Sequence, residues 1–115
     1  MRPQAEALKK LLDEPRLQVR PGCGDGMSAR LIAEAGFPTG FVSGSSISAM
    51  RLAMPDMDMV GFAEMADTVE TCIAAAPAVL WLADGATGHG NALAVQKAIR
   101  AYARRGAAAI LIEDK

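Results

Sequence analysis

Residues 79–91 read VLWLADGATGHGN. Five apolar residues run into a lone carboxylate, Asp84, and then into a loop with three glycines and the chain's only histidine, His89. A second acidic residue, Glu113, closes the apolar run AAAILI. Two carboxylates at corresponding strand ends can hold a hard divalent cation, with waters completing its octahedron. The same residues can do less: Asp84 can cap its own loop, and Glu113 can pair with a basic side chain. Ser43-Gly44-Ser45-Ser46 follows another apolar run. Exposed N–H groups there can cradle a carboxylate or phosphate, or the serines can simply cap the next helix. His89 reads as a base, a substrate contact or a solvated loop residue. One histidine cannot make a metal cluster, and no Ser/His/Asp arrangement is legible. Cys23 has no spacing that marks a nucleophile, and a small buried residue is the simpler reading. Met50, Met54, Met57 and Met59 surround Pro55-Asp56 and read as packing. Gly88-His89-Gly90 can close over a ligand or make a tight strand-to-helix turn.

The elements that must position these groups alternate in kind. Residues 4–13 pattern as a helix closed by Pro15. Residues 17–22, LQVRPG, alternate like a strand at Leu17 and Val19. Residues 28–36 pattern as a helix stopped by Gly36, and 39–45 as a short strand breaking into the Gly/Ser loop. A helical stripe covers 61–76. AVLWLAD, 78–84, is apolar throughout, as expected of a strand buried on both faces. Asn91 caps a helix reaching Arg105, and 107–114 is the last strand. The order αβαβαβαβ implies parallel strands covered by helices. Each predicted strand turns polar at its C-terminal end, the active-site edge of parallel α/β architectures.

Composition bounds the rest. A chain of 115 residues, 51% apolar and with a formal net charge of −1, is one domain's worth. It lacks the basic stripe expected of a nucleic-acid binder. No apolar run approaches the ~20 residues of a membrane span, and the N-terminus lacks a signal h-region. Cys23 and Cys72 stand far apart and form neither a disulfide framework nor a zinc pattern. A cytoplasmic setting is the expectation.

Four blocks carry a resemblance: GCGDGMSARLIAEAGFPTGFVSGSSISA, MRLAMPDMDMVGFAEMADTV, ADGATGHGNALAV and GAAAILIEDK. Their order and spacing resemble the isocitrate lyase/phosphoenolpyruvate mutase superfamily over nearly the whole chain. The resemblance implies a TIM (β/α)8 barrel with Mg2+ at the strand C-termini. It implies cleavage or formation of a C–C bond, or of a P–C bond, in small 2-oxo or 2-hydroxy carboxylic acids, through an enolate stabilised by the metal and backbone donors. Ser43, Gly44 and Ser45 match the loop that holds the substrate carboxylate. Asp84 matches the first carboxylate of an Asp-x-Asp-Thr-Gly motif and is the expected direct metal ligand. Asp56 and Glu113 match further acidic residues of the metal site. His89 stands where the family commonly has tyrosine, and is expected to touch substrate together with Asp84.

Two departures accompany the match. Ala86 replaces the second Asp of Asp-x-Asp, and losing such an outer partner typically costs roughly 10–100-fold in affinity. The sequence also stops after the fourth strand, before the family's loop with the catalytic cysteine, so no catalytic residue is assigned. Residues 1–115 are therefore expected to form one partial barrel: the N-terminal four β/α units, preceded by a helix. Val79, Trp81, Ile110 and Ile112 are expected to face the barrel interior. The chain then reads as a fragment of a lyase or decarboxylase, as a half-barrel that pairs with a second copy, or as an inactive remnant that keeps a carboxylate pocket. Phosphoenolpyruvate mutase-type P–C chemistry is the remaining alternative.

Overall fold

The computed structural model describes residues 2–115. Helix α1, Pro3–Leu12, starts on a proline, whose missing N–H costs nothing in a first turn. Strand β1 is Gly22–Cys23 and α2 is Gly26–Glu34. Asp25 caps α2 by accepting the Ser28 N–H at 2.8 Å. Strand β2, Thr39–Val42, runs straight into α3, Gly44–Ile47, and then a π-helical turn, Ser48–Leu52. Helix α4, Phe62–Ala75, begins where Gly61 N–H donates to Glu64 Oε2 at 2.7 Å. Strand β3, Leu80–Asp84, precedes α5, Ala92–Arg105. The Asn91 side chain accepts from the N–H groups of Leu93 and Ala94, and Gly106 ends α5 at φ 97°. Strand β4 is Ala109–Leu111.

The four strands lie in the order β1-β2-β3-β4, all parallel. One face of the sheet carries Cys23, Val42, Trp81 and Ala83 against Ile32, Met65, Val69, Cys72 and Tyr102 of the helices. The other places Phe41, Leu82 and Ala109 in one row across three strands. Leu8 of α1 packs on that second face with Leu80 and Leu82. Among the described residues no helix is long and apolar enough to cross a membrane.

Two expectations change in the structure. The first strand is not 17–22: pairing begins only at Gly22, and Leu17 and Val19 are 88% and 55% exposed. Their alternation is real, but β2 starts at Thr39, so residues 17–20 have no ladder partner, and Pro21 has no N–H to donate. The second change is parity. Trp81 and Val79 face the helices, with Trp81 only 1% exposed and its indole N–H donating to Ala76 O at 2.9 Å. Ile110 packs on the same cluster, while Ile112 is 41% exposed. In a strand apolar on both faces, composition leaves the inward set ambiguous, and one residue of shift exchanges the faces. Cys23 is the small buried residue expected, and it meets Cys72 in the core with their sulfurs 3.9 Å apart.

Trp81 occupies the space beside Gly40, its register partner on β2. A Cβ added at Gly40 would overlap the indole ring. Gly40→Ala is therefore expected to destabilise the fold by about 1–3 kcal/mol through overpacking. Urea unfolding should show a lower midpoint with an unchanged slope.

Candidate functional site

Asp84 is the last residue of β3 and joins two strand tips. Its Oδ2 accepts the Gly44 N–H at 2.8 Å, and its Oδ1 accepts the Ala86 N–H at 2.8 Å. The approach to Gly44 is close: an added Cβ would lie 2.9 Å from Asp84 Oδ2 and would push that carboxylate aside. The second bond bends the chain back, leaving Ala86 at φ 46°, a left-handed conformation that alanine rarely adopts. The turned Ala86 then offers its carbonyl to Glu113 N–H at 2.8 Å, and Gly85 N–H donates to Leu111 O at 2.7 Å. The tips of β2, β3 and β4 are thereby tied together at one carboxylate.

Around it lies a cavity of about 30 Å³, lined by Gly44, Asp56, Asp58, Val60, Met65, Asp84, Ala86, Glu113 and Lys115. That volume suits one water molecule or one small ion. The three acids expected to share a site, Asp56, Asp84 and Glu113, do share this one. Asp56 and Asp58 arrive on the segment after the π-helical turn, whose path is held by Ser48 Oγ donating to Pro55 O at 2.9 Å. Asp58 itself is left-handed, at φ 57°. Among the described residues no three acidic, histidine or cysteine side chains come close enough to form a ready-made metal cluster. Lys115 Nζ contacts Glu113 Oε2 at 3.0 Å. The hydrogen bond and charge of Glu113 raise the lysine's affinity for its proton, with further help from Asp58 and Asp56. Both modest roles considered for Asp84 and Glu113, loop cap and ion-pair partner, are thus present in the same cavity that gathers the acids.

Ser43 and Ser45 stand at the edge of this arrangement, their hydroxyls 2.9 Å apart. Only Gly44 of the three lines the cavity. His89 does not line it. It sits at φ 63° in an adjoining pocket with Phe62, Ala86 and Asp58. Its ring meets Phe62 edge-on at 5.4 Å, and its Nε2 lies 3.4 Å from the Tyr102 hydroxyl. Burial, with the Asp84 charge adding to it, pushes the Tyr102 phenol up to about 12. Burial pulls His89 below the ordinary imidazole range, and Asp84 opposes that pull. The sequence reading missed Asp58 and Lys115. The only signal for the first was its nearness to Asp56 in sequence, since residues 56–58 form a bend rather than a strand.

A parallel sheet whose helices cover one face, and whose strand tips gather carboxylates around an ion-sized cavity, is a partial α/β barrel with an acidic rim. The chain belongs to the phosphoenolpyruvate phosphomutase family, whose model matches residues 8–115. It is 38% identical over 106 residues to the chloroplastic carboxyvinyl-carboxyphosphonate phosphorylmutase of Arabidopsis thaliana, covering 92% of this chain and 31% of that protein. The crystal structure of 2,3-dimethylmalate lyase, a phosphoenolpyruvate mutase/isocitrate lyase superfamily member, matches with a TM-score of 0.91 and 31% identity, over 100% of this chain and 41% of that one. Phosphonopyruvate hydrolase in complex with oxalate and Mg2+ matches with a TM-score of 0.89 and 30% identity, over 97% and 39%. The chain spans about a third of the length of the curated relatives it matches. The expected superfamily and the expected partial barrel are both borne out.

Two outcomes test this geometry. Asp84→Asn keeps one acceptor and turns an amide N–H toward a backbone N–H, so it is expected to cost about 1–3 kcal/mol in denaturant unfolding. For His89 the sign follows from its lowered affinity for a proton in the folded state. The unfolded chain binds that proton more tightly, so the histidine's contribution is present above about pH 6.5 and is lost as pH falls through the folded value. Between about pH 7 and pH 5 the Tm of the wild type should fall more steeply than that of His89→Asn, a substitution that tolerates the left-handed backbone.

Proposed function

We propose that the strand tips bind Mg2+ together with a small 2-oxo or 2-hydroxy carboxylate, and that they form part of the site of a carbon–carbon lyase or decarboxylase. One observation carries this reading: Asp56, Asp84 and Glu113, from three separate segments, line one ion-sized cavity beside Gly44. The donors are all oxygens, the chemistry a hard cation prefers. Mg2+ commonly takes only one or two carboxylates and keeps its waters, so a site without three converging acids suits it. In this reading Asp84 would hold the ion, and Asp56 and Glu113 would accept hydrogen bonds from its waters. When bound, the cation supplies positive charge against the oxyanion that develops on a 2-oxo acid during bond cleavage. The chain's own part is to orient the acid. Ser43 and Ser45 offer hydroxyls at the rim, and Gly44 brings backbone to the cavity wall. His89 acts at one remove, by packing the loop that carries Ala86. The oxalate and Mg2+ bound to phosphonopyruvate hydrolase are consistent with a ligand of this class. The acid-rich lining favours a carboxylate over P–C chemistry, in which a phosphonate would bring further negative charge.

A second reading has its own observations. Ala86 contributes no charge, and the Lys115 ammonium already sits against Glu113. Both favour a module that binds a carboxylate and a weakly held ion without turnover. The open sheet edges at β1 and β4 would be covered either by the remainder of a barrel or by a second copy.

Thermal melting with Mg2+ and oxalate tests the site. The wild type should be stabilised by the two together, and Asp84→Ala should lose that shift. Ala86→Asp should tighten the apparent Mg2+ affinity by roughly 10–100-fold. Absence of any shift, Ala86→Asp included, sinks the metal reading. Consumption of oxaloacetate by the chain would select the lyase over the second reading.

A further inference from the structure

The two cysteines take no part in the rim chemistry. Cys23 ends β1 and Cys72 lies in α4, and both are fully buried. Their sulfurs are 3.9 Å apart, and the Cys72 thiol also reaches Asp25 O at 3.4 Å. A disulfide needs about 2.05 Å between sulfurs, so each must move by about 0.9 Å. That motion has a defined route to the rim. The Cys23 carbonyl accepts the Ser43 N–H at 3.0 Å. The next residue, Gly24, presses on α3 so closely that an added Cβ would lie 2.5 Å from the Ser46 carbonyl carbon. Helix α3 in turn begins at Gly44, which Asp84 holds. The tip of β1 therefore cannot shift without disturbing the turn at 43–47.

We propose that Cys23 and Cys72 form a reversible intrachain disulfide that couples thiol redox state to the geometry of the 43–47 turn. The oxidant is a low-molecular-weight disulfide. The Cys23 thiolate attacks one of its sulfurs, the small S–S bond breaks, and one small thiol leaves with a proton. The Cys72 thiolate then attacks the Cys23 sulfur of the mixed disulfide and expels the second small thiol. The protein loses two electrons and two protons, and one small disulfide becomes two thiols. Cys23 is the attacking partner because the neighbouring Cys72 thiol favours its thiolate, whereas burial and that same neighbour disfavour ionisation of Cys72. Burial of both sulfurs means that the exchange proceeds through local opening between α4 and β1.

The test uses the whole chain and 2-hydroxyethyl disulfide, a reagent that leaves the exposed Met50, Met54, Met57 and Met59 untouched. After treatment, alkylation in denaturant should find no free thiol. The intact mass should be lower by two hydrogens, and dithiothreitol should reverse both changes. Amide exchange in a peptide covering residues 43–47 should become several-fold faster in the oxidised protein, with far-ultraviolet circular dichroism unchanged. Cys72→Ala should abolish the loss of mass and the exchange response while keeping the native spectrum. Two thiols that stay alkylatable, a stable mixed disulfide on Cys23, a cross-link between chains, or a disulfide that leaves 43–47 unchanged would each overturn the proposal. None of these readouts involves Mg2+ or a carboxylate, so they stand apart from the function assigned to the rim.

Discussion

The carboxylate of Asp84 is the joint on which the rim depends. Two backbone N–H groups, one from the start of α3 and one from its own loop, converge on its two oxygens. Hydrogen bonds to a charged acceptor contribute about 1.5–3 kcal/mol each, roughly twice a neutral pair. They also fix direction. Gly44 is drawn close enough that a side chain there would displace the carboxylate, and Ala86 is turned so that its carbonyl accepts the N–H of Glu113, two residues past β4. Each Asp84 oxygen keeps a further lone pair, because a carboxylate has about four acceptor sites. One group can therefore hold the scaffold and still face the cavity.

Electrostatics sets the second constraint. Asp56, Asp58, Asp84 and Glu113 line a volume of about 30 Å³. Among the described residues no three of these groups converge on one point, so their charge is spread around the cavity wall. Lys115 supplies one positive group now, through Glu113. A divalent ion would supply more charge at the cost of competing with that ammonium. Alanine at position 86 lowers the negative charge, and so the demand for the ion, while accepting a backbone conformation that suits Asp, Asn or Gly better than itself. Glycine at neighbouring positions shows how closely the strand tips approach: a Cβ at Gly85 would stand 2.9 Å from Leu111 O.

The layer behind the rim carries the consequences inward. His89, Phe62 and Tyr102 pack as one aromatic group, with ring centroids 5.4 and 6.0 Å apart for the pairs that Phe62 makes. Tyr102 is fully buried, so the loop bearing Ala86 rests on the core rather than floating over it. In the same core, the thiol pair joins the end of β1 to α4. The rim thus rests on packed aromatic rings on one flank and on two buried free thiols between β1 and α4.

Much was legible in the residues themselves. Helix limits followed from Gly36 and Asn91, because capping and left-handed stops are local chemistry. The parallel order followed from alternating periodicities, and the polar strand ends pointed to the right edge of the sheet. Asp56, Asp84 and Glu113 were singled out by the three sequence blocks that contain them, and all three line one cavity. Tertiary structure alone decided the rest. It decided which face of β3 carries Trp81, since an apolar strand reads the same from both sides. It denied Leu17 and Val19 a partner strand, since pairing depends on where another segment begins. It turned His89 toward Tyr102 and away from the cavity, brought Cys23 against Cys72, and added Asp58 and Lys115 to the acids. Apart from Lys115, which meets Glu113 two residues away, each depends on where a segment distant in the chain lies, and no local preference encodes that.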